Sequence, residues 1–329
     1  MIRIANRLKP IAETHKTQRL VVNLLLDRTP MGIKEKIIDL VRDKRTQLPT
    51  LPVILTNILK VASDENASAA DLASFISKDQ AMANKVLRLA NSAYYGLARK
   101  VDSIQRAISV IGFNEIVSVA VGMGVFRALN ITRRDGLINM NDLWLHSIGC
   151  SFAAKEIIRR VPSTSTDGKN APLRKSKGDE IFLSGLLHDI GKVLFIIYFP
   201  EPYRLVIGEA IKHKQPLDQK ESELLGVNHA QMAGLIMQRW NFPETLMMPS
   251  LYHHQPGSCP EPYQLLAMVV ELADFVCHQA QIGQSGNPVV RFPTQACAAL
   301  KFKQDDIELM MGRLIQQRPN IEQFLTAIA

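Results

Sequence analysis

The stretch IFLSGLLHDIGKVLFIIYF, residues 181–199, sets His188 and Asp189 side by side inside an otherwise apolar run. The run reads as a helix. Two ionisable side chains buried in it would be destabilising by several kcal/mol unless a partner or a metal compensates them. The rest of the chain therefore has to supply partners, and helical spacing tells which polar residues point inward.

Working outward, the pattern is helical nearly everywhere. Lys34 to Arg42 carries a helical period, and Pro49 and Pro52 enforce an extended lead into a helix over Val53 to Ala62. Ser68 with Asp71 three residues on is a variant capping box for a short helix that buries Leu72, Phe75 and Ile76. Gln80 to Ala90 is the next helix, followed by the turn-rich NSAYYG at 91–96. Ser103 caps a helix with Ile104, Ile108 and Ile111 on one face, closed by Gly112. Asn114 to Leu129 is almost wholly apolar, which implies burial on several sides. A long helix is expected over 142–160, and residues 162–178, rich in Ser, Thr, Lys, Gly and Pro, read as an exposed insertion. After the helix carrying His188, further helices are expected at 202–213, 216–225, 229–240, 243–252, 262–278 and 304–318, several of them starting at prolines. The fold class is all-α. It divides into an N-terminal extension (1–33), a first helical lobe (34–135) and a second helical lobe (136–329).

At 329 residues the chain can bury a sizeable core, and 47% hydrophobic with 21% charged residues is a globular composition rather than a disordered or fibrous one. The net charge of +8 is concentrated in Arg133-Arg134, Arg159-Arg160 and the stretch from Lys169 to Lys177, which reads first as solvated surface, so nucleic acid is not an expected partner. The four cysteines lack any CxxC spacing and fit reduced, mostly buried thiols better than a disulfide framework or a zinc knuckle. The basic N-terminus is broken by Pro10 before an apolar core forms, and the uncharged run Ile116 to Phe126 is too short to span a bilayer. A cytoplasmic protein without a membrane span is expected.

Inward-facing metal-type side chains recur on separate helices. His146 lies on the stripe of Cys150, Ala153, Ala154 and Ile157; His229 heads the series Met232, Ala233 and Ile236; Asp274 lies on the stripe of Ala267, Val270 and Cys277. His253-His254 ends another helix. A single histidine on an apolar face is more often a hydrogen-bonded core residue, but the convergence of these with His188-Asp189 raises a metal site. Imidazoles and carboxylates suit one or two divalent transition ions (Fe, Mn, Zn or Ni), whereas magnesium would prefer more oxygens. Such an ion can activate a water for attack on a phosphorus ester.

The order His146, His188-Asp189, Asp274 resembles the HD superfamily of metal-dependent phosphohydrolases, in which those positions are the ligands. His229, His253 and His254 resemble the additional ligands of the HD-GYP cyclic-di-GMP phosphodiesterases, yet the GYP signature is absent where HHQPGSCP stands at 253–260. LPTLP at 48–52, DQAMANKVLRLAN at 79–91, SAYYG at 92–96, ISVIG at 108–112, LLHDIGK at 186–192 and HAQMAGLIMQRWNFP at 229–243 resemble the HDOD domain, a bacterial signalling module related to HD. The resemblance covers about residues 34–280 and implies a two-lobed helical fold whose second lobe is HD-like. It also implies a regulatory or scaffolding role through protein partners. The full set of HD ligand types keeps a metal-dependent phosphohydrolase, acting on a nucleotide or other phosphate, as the alternative. In that case Asp189 and Lys192 are the catalytic candidates. Lys192 follows the HD pair and could contact a substrate phosphate; otherwise it is an exposed lysine beyond a Gly191 helix cap.

Overall fold

The computed structural model describes residues 33–42, 51–62, 64, 66–92, 95–129, 138–161 and 178–328. Residues 1–32 of the extension, the first proline of the 48–52 segment and residues 162–177 of the insertion lie outside the described residues. Among the described residues there are helices and no strand.

The helices begin where the chain offers caps. Helix α1 is Ile33–Arg42, followed by α2 (Val53–Ala62), α3 (Ala69–Ser77), α4 (Gln80–Ala90), α5 (Ile104–Ile111) and α6 (Phe113–Ala128). Ser68 and Asp71 close a reciprocal capping box on α3. The Asp79 carboxylate accepts from the Met82 amide at 3.0 Å on α4, and Ser103 Oγ accepts from the Arg106 amide at 3.3 Å on α5. Each such cap satisfies an amide that the first helical turn leaves without a partner. Helix α6 has no polar side, and every residue from Glu115 to Phe126 is buried. It lies between α2 and the helix that leads to His188. A Cβ at Gly122 would come within 2.6 Å of Leu186, and one at Gly124 within 2.3 Å of Leu55, so glycine permits close approach on both faces.

The remaining helices are α7 (Met140–Arg160), α8 (Gly178–Leu187), α9 (Ile190–Tyr198), α10 (Pro200–His213), α11 (Leu217–Leu225), α12 (His229–Arg239), α13 (Glu244–Tyr252), α14 (Gln264–Gln279), α15 (Thr294–Leu300), α16 (Gln304–Gln316) and α17 (Arg318–Ile328). Helix α7 packs against α8 and α14, and α12 packs against α9 and α13. Two connections cross the molecule. Helix α1 rests on α12, with Arg239 Nη1 donating to the Leu40 carbonyl at 3.3 Å. Helix α17 packs on α7 and α4, with Phe324 against Phe152 and Phe182 and with Lys85 Nζ donating to the Ile328 carbonyl at 3.0 Å.

Three features differ from the sequence reading. The apolar run 181–199 is two helices, broken at His188-Asp189, where the imidazole Nδ1 of His188 donates to the Gly185 carbonyl at 2.7 Å and competes for it with the helical ladder. The helix expected over 304–318 stops at Gln316, and α17 starts afresh with Pro319 in its first turn, where a missing amide is tolerated. Helix α15 was not expected, being only seven residues long. The segment Glu180–Tyr198 is long and apolar enough to cross a membrane by composition, but 89% of it is buried inside the fold as core.

Candidate metal centre

Four helices and one helix break deliver the ionisable cluster. His146 projects from α7, His188 and Asp189 from the α8–α9 break, His229 from the first residue of α12, His253 and His254 from the end of α13, and Asp274 from α14. All are buried except His254, which is half-buried. Close approach of α9 to α12 makes this possible: a Cβ on Gly191 would lie 1.9 Å from the His229 carbonyl oxygen, so no other residue fits there unchanged.

The donor atoms converge. His146 Nε2 is 2.9 Å from Asp274 Oδ1 and 4.0 Å from Asp189 Oδ2. His188 Nε2 is 3.5 Å from Asp189 Oδ2 and 3.9 Å from Asp274 Oδ1. On the other side of Asp189, His229 Nε2 is 3.2 Å from Oδ1, and His254 Nε2 lies 2.8 Å from His229 Nε2. The rings of His188 and His253 have their Nδ1–H groups occupied by the carbonyls of Gly185 and Ser250, each at 2.7 Å. That fixes the tautomer and leaves the Nε2 lone pairs for the cluster. His188 Nε2, His253 Nε2 and Asp189 Oδ1 have no hydrogen-bond partner although buried. Buried polar atoms are seldom left so, and three lone-pair donors converging without a proton to share are what a cation satisfies. The residues therefore fit the divalent ion that the HD pattern implies; when bound, such an ion would neutralise the carboxylates and could polarise a bound water.

Electrostatics follow from burial and mutual contact. Burial lowers the pKa of His188, with Asp189 opposing it. Burial and then the imidazoles of His188 and His229 bring His253 down to about 3. Burial and then His253 hold His254 well below its ordinary value. His146 runs the other way: burial opposes its charge, but Cys150 and Asp274 outweigh that and raise its pKa well above the usual value. Burial also opposes charge on Asp189, yet His188, Lys192 and His229 hold its carboxyl well below the carboxylate range.

All seven metal-type residues picked from the sequence come together here. Lys192 differs from its reading as an exposed lysine beyond a helix cap: it is buried inside α9, and its Nζ donates to Asp189 Oδ2 at 2.7 Å. Sequence reasoning missed Glu221, which is fully buried in α11. Its Oε2 accepts from His229 Nδ1 at 2.6 Å and from the His229 amide at 2.7 Å, while Oε1 accepts from the Tyr203 hydroxyl at 2.8 Å. A signal existed: Glu221 lies four residues from both Leu217 and Leu225, on the buried stripe of its helix.

A narrow cleft of about 20 Å³ reaches the edge of the cluster at His254 and Asp274, with Asp218, Glu271 and Arg291 around it. Burial raises the Glu271 carboxyl to about 7 despite Arg291. A larger cavity, about 220 Å³, lies elsewhere between α7, α14 and α16, away from this chemistry.

With this geometry in hand, the HDOD domain family matches residues 48–256, and the chain belongs to that family. An HDOD domain protein of unknown function from Geobacter sulfurreducens superposes with a TM-score of 0.70 at 23% identity, over 90% of this chain and 99% of that one. A protein provisionally named a phosphohydrolase from Shewanella amazonensis SB2B gives 0.67 at 22% identity, over 89% and 98%. A protein provisionally assigned to signal transduction from Marinobacter aquaeolei VT8 gives 0.72 at 19% identity, over 99% of this chain and 69% of that one. At these identities the likeness is one of fold. An uncharacterised protein of Treponema pallidum (strain Nichols) is 24% identical over 71% of this chain, which spans only 43% of that relative's length.

Proposed function

We propose that the chain is a regulatory module of bacterial signal transduction that acts through contacts with signalling proteins, its metal cluster holding the fold rather than turning over a substrate. The closure of the cluster carries this reading. His146, His188, Asp189, His229 and His253 are buried, and the Lys192 ammonium already engages the Asp189 oxygen nearest His188. The burial of these ligands leaves the narrow cleft at His254 and Asp274 as the approach to the cluster. An exposed groove of about 460 Å³ on the N-terminal helices, with Val53, Ile54 and Phe75 beside Asn57, Lys78, Asp79 and Gln80, offers mixed apolar and polar surface for a protein partner, and Val53 is 77% exposed. The likeness to the Marinobacter protein is in keeping with this role.

The alternative, a metal-dependent phosphohydrolase acting on a nucleotide or cyclic dinucleotide, is favoured by one observation: the cleft at His254 and Asp274 carries a cation, Arg291, beside the cluster. Metal-loaded protein assayed against bis(p-nitrophenyl) phosphate, mononucleotides and cyclic dinucleotides separates the two. The regulatory reading expects no turnover above buffer. A metal-dependent rate that His188→Ala abolishes would overturn it and establish the alternative.

A further inference from the structure

We infer that Cys150 is a metal ligand: its thiolate joins His146 Nε2, His188 Nε2 and Asp274 Oδ1 as the fourth donor of a zinc site. This rests on the metal-cluster reading above and adds to it a residue that the HD pattern does not contain.

Cys150 follows His146 by four residues on α7, so both side chains lie on one helical face, one turn apart. Its Sγ is 3.4 Å from His146 Nε2, and the four donor atoms all lie within 4.8 Å of one another. Four donors at that separation suit an ion held at about 2.0–2.3 Å from each. Hydrogen bonding alone does not account for the arrangement. If His146 Nε2 carries a proton, it donates to Asp274 Oδ1, and the Cys150 thiol is left to its other neighbour, Cys277. If it carries none, the thiol can donate to it, but Asp274 Oδ1 then faces a lone pair at 2.9 Å. In both cases the buried His188 Nε2 lacks a partner. An ion resolves all of these contacts at once, and the thiol proton passes to solvent as the ion binds.

Asp189 explains why sulfur is called on. Its Oδ2, 3.5 Å from His188 Nε2 and 4.0 Å from His146 Nε2, already accepts from Lys192 Nζ at 2.7 Å, while its Oδ1 faces His229 at 3.2 Å. A sulfur, two imidazoles and one carboxylate form a zinc-type set, whereas manganese favours oxygen donors. Four protein donors also leave no open position for water, in accord with a structural role.

Cobalt(II) loaded into the full-length, metal-stripped protein tests this by absorption spectroscopy. The expected result is a near-ultraviolet sulfur-to-cobalt charge-transfer band, bleached by zinc and not by manganese, and lost in Cys150→Ser. Cys277→Ser, which alters a neighbouring thiol that contacts the His146 carbonyl at 3.4 Å, keeps the band. Cobalt bound stoichiometrically by the wild-type protein without that band overturns the assignment of Cys150 and leaves the metal cluster standing. Survival of the band in Cys150→Ser does the same. No cobalt bound at all overturns the cluster reading together with this one. Should Cys150→Ser not fold, the wild-type spectrum still decides.

Discussion

Helices α2 to α6 and the helices around His188-Asp189 solve opposite problems with the same element. The first group keeps most of its polar atoms at the ends of helices, where Ser68, Asp79 and Ser103 cap exposed amides, although α6 also buries Glu115 against Lys155. The second draws histidines, carboxylates and a lysine into the core, where local bonds such as Lys192 to Asp189 are joined by contacts between groups distant in sequence. His146 meets Asp274 across 128 residues, while Ser68 meets Asp71 across three. Stability in one region comes from local chemistry, and in the other from convergence.

Removing a converging charge is the most direct way to break that contrast. Asp189→Ala leaves the Lys192 ammonium buried without its carboxylate, and is expected to destabilise the protein by about 3–5 kcal/mol in urea unfolding. A loss below about 1 kcal/mol would mean the cluster is far less interdependent than its contacts imply. Glu221→Ala touches no cluster donor directly but frees the His229 ring, and metal affinity measured by competition with a chelating dye should fall about 10–100-fold.

Acid should discriminate between the regions as well. His188, His253 and His254 have folded-state pKa values below 6.5, so the unfolded chain binds more protons than the native one in that window. Stability of chelator-treated protein is therefore expected to fall as pH drops from 6.5 towards 3, with His146, shifted the other way, opposing in part. His253→Gln should flatten the slope of Tm against pH; an unchanged slope would remove His253 from the account. The smallest effect belongs to the local region. Ser68→Ala should lower stability by about 1 kcal/mol with no change in metal content by elemental analysis.

The same division governs what can be read from sequence. Caps and amphipathic stripes announce themselves within a few residues, so the bounds of α2, α4 and α5 and the capping box at Ser68 match the periodic pattern. The seven metal-type residues were also legible, because each sits on the apolar stripe or at the end of its own helix. Their partners were not. The burial of Lys192 depends on Asp189 being turned towards it at a helix break, and that break depends on a ring-to-carbonyl bond that spacing does not show. Glu221 sat on a buried stripe but within LDQKESELL, where neighbouring charges mask it. The short α15 and the restart at Arg318 carry too little period to separate from their surroundings.

Helix α6 has a thermodynamic consequence. Leu55 of α2 presses on it at Gly124 and Leu186 of α8 at Gly122, so the interior of each region is also a wall of the other. Were either region to unfold alone, one face of an almost wholly apolar helix would pass into water, at about 25 cal/mol for each Å² exposed. Partial unfolding is penalised from both sides. Folding of the two regions is thereby coupled through α6.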